Sequence, residues 1–348
     1  MIKIKRMVNV VVNGIGTIGK RIAHAVRLQK DMKLRAIIGY SPDSIIKTVL
    51  EPQGPLYGTD LYALDQESYK KFKNAGMIVN GTLEDLLKSK EVDVVIDATP
   101  EGFGKVYKEK YYQKYNVKAI FQGGEDADVA EMTFNAAVNY EEAFGKKFVR
   151  VPSCNTTGLI RTLSAIQKFG IEYAFVSVVR RAADPHEYKK GPINAIEFEE
   201  VPSHHAEDVK TVLKDLNIFS MAVKVPTTLA HTHIVEVTLK KPTSKENIIK
   251  AFEEQTRVIL LEMKEYPATS KIIEKFRDYC RPRNDMYEIV VLKDSINVEG
   301  KKVRWMHVVH QEADVIPENI DAIRAITGIE KDKWASIKKT NESLGILK

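Results

Sequence analysis

The chain has 348 residues, of which 44% are hydrophobic and 29% are charged, and its formal net charge is +6. This length favours two domains, and the composition supplies enough apolar residues for two cores. No apolar run approaches the roughly 18–20 residues that span a bilayer, and no basic patch interleaved with aromatic residues indicates nucleic-acid binding. Two cysteines cannot form a disulfide framework. We therefore expect a cytoplasmic protein without membrane or nucleic-acid partners.

The first 150 residues alternate short β-branched segments with amphipathic segments. Residues 8–12 predict a buried strand, and residues 18–28 then place apolar side chains at helical spacing. The same alternation continues, with predicted strands at 34–38, 92–96 and 117–121 and predicted helices at 68–75, 83–88 and 105–115. Such an order is typical of a parallel sheet with helices on both faces.

The pattern changes after Val151. A helix is predicted at 157–168, and the later strands are longer and more strictly alternating, at 173–179, 218–225 and 231–239. They predict an α+β domain with an antiparallel sheet. Residues 182–208 are predicted to form a long loop, and loops of that length in compact domains are usually functional. Helical patterns resume after Pro317, which suits the first turn of a helix.

The segment NGIGTIGKR, residues 13–21, contains a G-x-G-x-x-G pattern directly after a strand and at the start of a helix. In that context Gly14 permits a tight turn, Gly16 lets the backbone approach a pyrophosphate, and Gly19 lets helix and strand pack closely. The helix N-terminus offers N–H groups to the anion. A glycine-rich structural turn is the alternative. A dinucleotide site with a Rossmann-type domain is the favoured interpretation.

The end of the second predicted strand lacks the charged residue that usually selects the cofactor. An acid there binds the ribose hydroxyls of NAD, and a basic residue binds the phosphate of NADP. Here Gly39, Tyr40 and Ser41 occupy the position, and Asp43 is the first acid. The pattern therefore leaves NAD or NADP open.

The segment VPSCNTTGL, residues 151–159, places Cys154 at or just before a helix N-terminus. That position favours the thiolate, and polar neighbours argue against a buried, inert cysteine, which is the alternative. A reactive thiol needs a basic or cationic partner. His231 and His233 lie on one face of a strand, and spacing alone does not rank them. Arg180 and Arg181, at a strand end, suit an anion site or a solvated surface.

These segments together resemble the archaeal-type (type II) phosphorylating glyceraldehyde-3-phosphate dehydrogenases. The resemblance rests on ordered motifs: NGIGTIGKR (13–21), QGGE (122–125), SCNTTGL (153–159), RRAADP (180–185), GPINA (191–195), PSHH (202–205), VPTTLAHTH (225–233), HQE (310–312), PENIDAIR (317–324) and TNESLGIL (340–347). They cover nearly the whole chain. The implied architecture is an α/β chain with an NAD(P)-binding Rossmann domain at 1–153, completed by a C-terminal helix at about 316–348, and an α+β catalytic domain with an antiparallel sheet at 154–315.

The resemblance also implies the roles of individual residues. Cys154 would be the nucleophile and His231 the general base. The glyceraldehyde 3-phosphate site would be lined by Ser153, Cys154, Asn155, His204 and His205. Cofactor contacts would come from Gly14, Gly16, Thr17, Ile18, Gly19, Gly124, Arg181 and Gln311. Inorganic phosphate would be the second substrate, and family members are homotetramers.

Two other functions are compatible with parts of this pattern. Aspartate-semialdehyde dehydrogenase would share the glycine-rich turn and the cysteine, but it would need an arginine for the substrate carboxylate. A non-enzymatic Rossmann-type regulator would not need both Cys154 and His231. Four of the histidines cluster in sequence as His204, His205, His231 and His233, but no ligand spacing completes a metal site, so none is expected. Departures from the family occur at 39–41 and around 51–60, toward the adenosine end of the cofactor.

Overall fold

The computed structural model describes residues 7–187, 189–192 and 194–347. The basic residues before Met7 and Ile193 of the GPINA motif lie outside the described residues. The chain divides into two compact units, residues 1–152 with 316–344 and residues 153–315 with 345–348. Each unit contains one sheet. Within the part of the chain described, no helix is both long enough and apolar enough to cross a membrane.

Residues 7–152 form a parallel six-stranded sheet in the order β3-β2-β1-β4-β5-β6. Its strands are β1 (Val8–Asn13), β2 (Met32–Gly39), β3 (Leu61–Ala63), β4 (Val94–Asp97), β5 (Lys118–Gln122) and β6 (Phe148–Val151). Its helices are α1 (Thr17–Arg27), α2 (Ser44–Leu50), α3 (Gln66–Asn74), α4 (Leu83–Lys88), α5 (Phe103–Tyr107, continued by a π-helical segment, Lys108–Gln113) and α6 (Ala136–Asn139). This is the strand order of the Rossmann fold, so the predicted fold class is confirmed for this unit.

The β-branched composition of the central strands follows from their position. Val10, Val11 and Val12 of β1 are fully buried, as is Ile96 of β4. Parallel strands covered on both faces carry continuous apolar runs rather than alternating ones. The carboxyl ends of β1, β2, β4 and β5 lie at one edge of the sheet. From β1 the strand order runs in one direction through β2 and β3 and in the opposite direction through β4, β5 and β6, so the topology switches between β1 and β4. Ligands of open α/β sheets bind at such a point.

Residues 153–315 form an eight-stranded sheet flanked by helices. The helices are α7 (Cys154–Ile166), α8 (His204–Lys210), α9 (Lys245–Glu254) and α10 (Thr269–Arg277). The strands are β7 (Ile171–Arg181), β8 (Glu197–Phe198), β9 (Ile218–Val225), β10 (His231–Leu239), β11 (Val258–Leu261), β12 (Ile289–Leu292), β13 (Asn297–Glu299) and β14 (Lys302–Val309). Their order is β11-β12-β14-β10-β7-β9-β8, with β13 beside β14.

This second sheet is mostly antiparallel, as predicted, but the pairs β7–β9 and β11–β12 are parallel. Alternating apolar residues predict a strand with one covered face, but they do not predict the direction of the neighbouring strand. The sequence therefore could not indicate that these two pairs are parallel. The prediction of a continuous loop at residues 182–208 is also partly wrong. It contains the short strand β8 and the start of α8, which the prolines and glycine of the segment obscured.

The C-terminal segment forms two helices, α11 (Ile316–Thr327) and α12 (Lys333–Leu344), where one was predicted. Arg324, almost fully buried, pairs with Asp31 at 2.8 Å and so ties α11 to the residue before β2 within the first unit. The chain then leaves this unit at Gly345. The Leu347 N–H donates to Glu288 at 2.9 Å, and Glu288 forms a buried pair with Arg281 at 2.7 Å.

Candidate active site

Helix α7 begins at Cys154, with Ser153 as its N-cap. The Ser153 hydroxyl lies 3.1 Å from the hydroxyl of Thr156 and does not cap the helix N–H groups. A Cβ on Gly158 would lie 2.7 Å from Val309 Cγ2, so α7 packs against β14 as closely as a glycine allows. This packing fixes the first turn of α7, and with it the position of the Cys154 thiol.

The surroundings of Cys154 differ from the sequence prediction. Asn155, Thr156 and Thr157 are at most 2% exposed, so these polar neighbours are buried rather than solvated. Burial raises the pKa of the Cys154 thiol to about 12, and the charge of Asp314 acts in the same direction. Arg181, Arg180 and the Asn155 N–H oppose this shift without cancelling it. Cys154 itself is only half-buried, so the preference of the helix N-terminus for the thiolate stays a prediction that a titration of the thiol would test.

A chain of hydrogen bonds joins Asn155 to two histidines from distant segments. Its amide nitrogen lies 3.1 Å from His205 Nε2, and its amide oxygen lies 2.9 Å from His233 Nε2. His205 Nδ1 lies 3.1 Å from the Ser203 hydroxyl, which lies 2.7 Å from the Ser220 hydroxyl. Since an amide nitrogen only donates, His205 carries its proton on Nδ1, and His233 donates from Nε2.

His231 is the first residue of β10 and is 4% exposed. The backbone N–H of Arg181 donates to His231 Nδ1 at 2.9 Å. This bond places the ring proton on Nε2. Burial, followed by the nearby arginines, holds the pKa of His231 well below its ordinary value. The ring is therefore neutral, and in this geometry Nε2 is a hydrogen-bond donor.

His233 and His307 face each other across β10 and β14, with ring centroids 4.6 Å apart. Trp305 Nε1 donates to His307 Nδ1 at 3.1 Å. Burial lowers the pKa of His307 to about 3, the pKa of His205 to about 3, and that of His233 well below its usual range. The sequence signal for His233 was the H-x-H pattern, which does not distinguish a positioning role from a catalytic one.

These four buried histidines, His205, His231, His233 and His307, predict an acid-sensitive fold. Each is neutral in the native state and gains a proton on unfolding once the pH falls below about 6.5. Stability should therefore be greatest above that pH and should fall toward pH 5 by up to about 1.4 kcal/mol per pH unit for each histidine. Denaturant unfolding at pH 7, 6 and 5 measures this slope. The variant His307→Phe should reduce it by about a quarter, and a pH-independent free energy of unfolding would contradict the account.

The two substrate-site histidines, His204 and His205, differ in exposure, and the two arginines nearby both have carboxylate partners. The rings of His204 and His205 stack with centroids 4.0 Å apart, and His204 is exposed whereas His205 is fully buried. Both ring nitrogens of His205 have protein partners, so direct contact with a ligand falls more naturally to His204. Arg180 pairs with Glu199, and Arg181 pairs with Asp184. An anion at either arginine has to compete with a carboxylate.

The glycine-rich turn has the shape that a pyrophosphate requires. Gly14 has φ +89°, and a Cβ there would lie 2.8 Å from the Ala98 oxygen. A Cβ on Gly19 would overlap the Gly14 oxygen at 1.8 Å, whereas one on Gly16 would meet no atom within 4 Å. The space beside Gly16 is therefore open. No side chain caps the N-terminus of α1, where Thr17 and Ile18 lie, and its first turn has no acid. The turn fits a bound dinucleotide phosphate.

The three remaining cofactor candidates, Gly124, Gln311 and Arg181, differ in how well the structure supports them. Gly124 follows β5 at the same sheet edge as Gly14, and a Cβ there would lie 3.1 Å from a Glu101 carboxylate oxygen. Gln311 and Arg181 belong to the second unit. Gln311 is 5% exposed, and its buried amide oxygen has no hydrogen-bond partner within the described ranges. Such an oxygen suits an N–H donor of a ligand, for example a carboxamide.

The sheet edge also contains a buried carboxylate that sequence reasoning missed. Asp97, at the end of β4, accepts hydrogen bonds from the Tyr112 hydroxyl at 2.5 Å, the Thr99 hydroxyl at 2.5 Å and the Asn13 amide at 3.3 Å. Burial raises its pKa. Asp97 therefore fixes the loop ends beside the turn, and no local sequence pattern predicts these contacts.

Within the described residues, two groups of side chains have the spacing to hold a cation, which the spacing along the chain did not indicate. They are Glu199 with His204 and His205, and Asp285 with His310 and Glu312. In the first, Glu199 already pairs with Arg180 and lies 3.8 Å from Lys224. Those two positive charges disfavour a metal ion there.

A Rossmann unit with an open phosphate-binding turn and a second unit with a cysteine at a helix start define a nicotinamide-dependent aldehyde dehydrogenase class. Comparison with known proteins identifies one family within this class. Residues 153–294 match the family model described as glyceraldehyde 3-phosphate dehydrogenase, C-terminal domain.

Relatives named glyceraldehyde-3-phosphate dehydrogenase align along almost the whole chain. The proteins from Pyrococcus abyssi and Thermococcus onnurineus are 51% and 52% identical over 98% of this chain and 99% of their own. The protein from Methanopyrus kandleri is 49% identical over 98% of each chain. The chain belongs to the archaeal-type glyceraldehyde-3-phosphate dehydrogenase family, as the sequence motifs predicted, and this family uses NAD(P).

Proposed function

We propose that the protein oxidises D-glyceraldehyde 3-phosphate to 1,3-bisphosphoglycerate with NAD(P)+ and inorganic phosphate, in glycolysis or gluconeogenesis. The observation that carries the proposal is Cys154 at the start of α7, where the charges of Arg180 and Arg181 act both on the thiol and on His231. Cys154 attacks as the thiolate, after its proton has passed to solvent water: the sulfur forms a bond to the aldehyde carbon, and the electron pair of the C=O π bond moves to the oxygen, which becomes negative. NAD(P)+ supplies the hydride acceptor.

In this mechanism His231 stabilises charge on the reacting oxygen. Its Nε2–H donates to the oxygen of the thiohemiacetal, because Nδ1 is occupied by the Arg181 N–H. When the oxygen re-forms its double bond, the C–H electron pair leaves as hydride and a thioester remains on Cys154. Phosphate then cleaves the C–S bond and releases the sulfur. Action of His231 as a general base requires its Nδ1 to release the Arg181 N–H.

Asn155 and His233 act as positioning residues in this proposal. Asn155 donates to His205 and accepts from His233, and these two hydrogen bonds hold Asn155 next to the nucleophile. Ser153, Asn155, His204 and His205 would line the substrate site. His204 and the arginines would supply positive or donor groups for the substrate phosphates. Both NAD and NADP should serve, with a ratio of kcat/KM below about a hundredfold, since Tyr40 and Ser41 carry no charge.

We also propose a cytoplasmic homo-oligomer, with a tetramer as the family resemblance implies. Helix α10 covers one face of the second sheet only around β11, β12 and β14. Farther along the same face, β7, β9 and β10 present apolar side chains in register. Tyr173, Met221 and Ile234 are 37–48% exposed, and Phe175 stacks on Phe219 between them. Burial of such a face against a second copy would remove apolar area from water.

Cofactor reduction with and without phosphate tests the function. With glyceraldehyde 3-phosphate, NAD(P)+ and phosphate, we expect continuous reduction. Without phosphate, reduction should stop after about one equivalent per site, because the thioester accumulates. Aspartate semialdehyde should support no comparable rate. Equal steady rates with and without phosphate would contradict the phosphorylating reaction. No cofactor reduction at all would favour the alternative of a non-enzymatic Rossmann-type regulator.

A further inference from the structure

The end of β2 lacks a charged residue in the sequence, and the structure explains why. A Cβ on Gly39 would lie 2.7 Å from Ile46 Cδ1 and 2.7 Å from Phe72 Cζ. Helices α2 and α3 therefore approach the strand so closely that a side chain at residue 39 would have to displace Ile46 and Phe72. Asp43, the first acid after the strand, accepts from the Ile46 N–H at 2.9 Å and caps α2.

A positive charge nevertheless lies at this strand end, and it comes from α3. Lys71 directly precedes Phe72, and its Nζ lies 4.3 Å from the centroid of the Tyr40 ring. Tyr40 follows Gly39 and is 57% exposed. An ammonium over an aromatic face is attracted by the ring quadrupole. The exposed ring thus holds Lys71 beside the residues where ribose recognition takes place in this fold.

The present partner of Lys71 does not prevent it from binding an anion. Glu67 lies 2.8 Å from the Lys71 Nζ, one helical turn away, and its side chain is 73% exposed. Exposed ion pairs of this kind stabilise little. Hydrogen bonds to Glu67 and to the Tyr40 hydroxyl raise the pKa of Lys71, so the ammonium stays charged at neutral pH.

We propose that Lys71, held by Tyr40, binds the 2′-phosphate of NADP and is the residue that favours NADP over NAD in this chain. The inference rests on the proposed dinucleotide site at the Gly14–Gly19 turn. It places the phosphate-selecting charge on α3, because packing at Gly39 excludes it from β2. Lys71 contacts the part of the cofactor that distinguishes the two nucleotides and takes no part in hydride transfer.

Equilibrium binding of NADP+ and NAD+ to the full-length protein tests this assignment. The variant Lys71→Gln should weaken NADP+ binding about tenfold, which corresponds to about 1.4 kcal/mol, and should change NAD+ binding less than about twofold. Lys73→Gln is the matched control, since Lys73 lies on the same helix over the Tyr69 ring at 5.8 Å. It should leave the ratio of the two affinities nearly unchanged. Lys71→Arg should restore most of the NADP+ affinity.

The possible outcomes separate this inference from the proposed function. An equal loss for both nucleotides in Lys71→Gln, no loss for either, or an equal effect of Lys73→Gln would overturn the role of Lys71 and leave the enzyme assignment intact. Failure of the wild-type protein to bind either nucleotide would overturn the dinucleotide site itself, and the inference with it.

Discussion

Replacement of Cys154 by serine is expected to abolish aldehyde oxidation and to leave cofactor binding nearly unchanged. The serine hydroxyl is a far weaker nucleophile than the cysteine sulfur, and without that sulfur the thioester cannot form. The residue starts a helix that is packed at Gly158, so the conservative change should not disturb the fold. Steady-state cofactor reduction measures the loss, and equilibrium NAD(P)+ binding checks the cofactor site.

Cys280→Ser is the matched control. Cys280 is the other free cysteine, is exposed, and lies beyond the end of α10. Its replacement should be nearly silent. If Cys154→Ser retained more than about a hundredth of the wild-type rate, the nucleophile assignment would be wrong, because loss of a covalent nucleophile should cost far more.

His231→Asn is expected to slow single-turnover hydride transfer by about 10²–10³-fold, with a milder effect on substrate affinity. The substitution removes the Nε2–H donor and the acceptor of the Arg181 N–H. Loss of one donor to a developing negative oxygen has an effect of about 10²–10³-fold on kcat. Rapid-mixing measurements of cofactor reduction separate this step from substrate binding.

The comparison with His233→Asn decides between the two imidazoles. His233 donates to Asn155, and its loss should act indirectly, through the position of the residue beside Cys154. We therefore expect a smaller effect, with a share of it in protein stability because His233 is fully buried. A larger loss of hydride transfer in His233→Asn than in His231→Asn would show that the catalytic imidazole is His233.

The sequence was sufficient for the features that local rules determine. The Gly14–Gly19 turn follows β1 and opens α1, and each glycine meets the steric demand expected of it. Helix α4 and strands β9 and β10 have the predicted bounds. These elements have uninterrupted periodicity, so their local pattern agrees with the fold.

The environment of Cys154 could not be predicted in the same way. Its neighbours are polar in sequence but buried in the fold, where Asn155 forms hydrogen bonds with His205 and His233. Likewise, Lys71 reaches Tyr40 across 31 positions of the chain because two helices close over Gly39. Local pattern cannot report the partners of a buried polar group, since tertiary packing chooses them.

Mass spectrometry of the protein after reaction without phosphate tests the central claim most directly. The protein is mixed with glyceraldehyde 3-phosphate and NAD(P)+, quenched in acid after the first turnover, and digested. We predict one 3-phosphoglyceroyl group on the peptide that contains Cys154, lost on addition of phosphate before the quench, and none on the peptide that contains Cys280. Cofactor reduction without any acyl group on Cys154 would contradict the thioester mechanism.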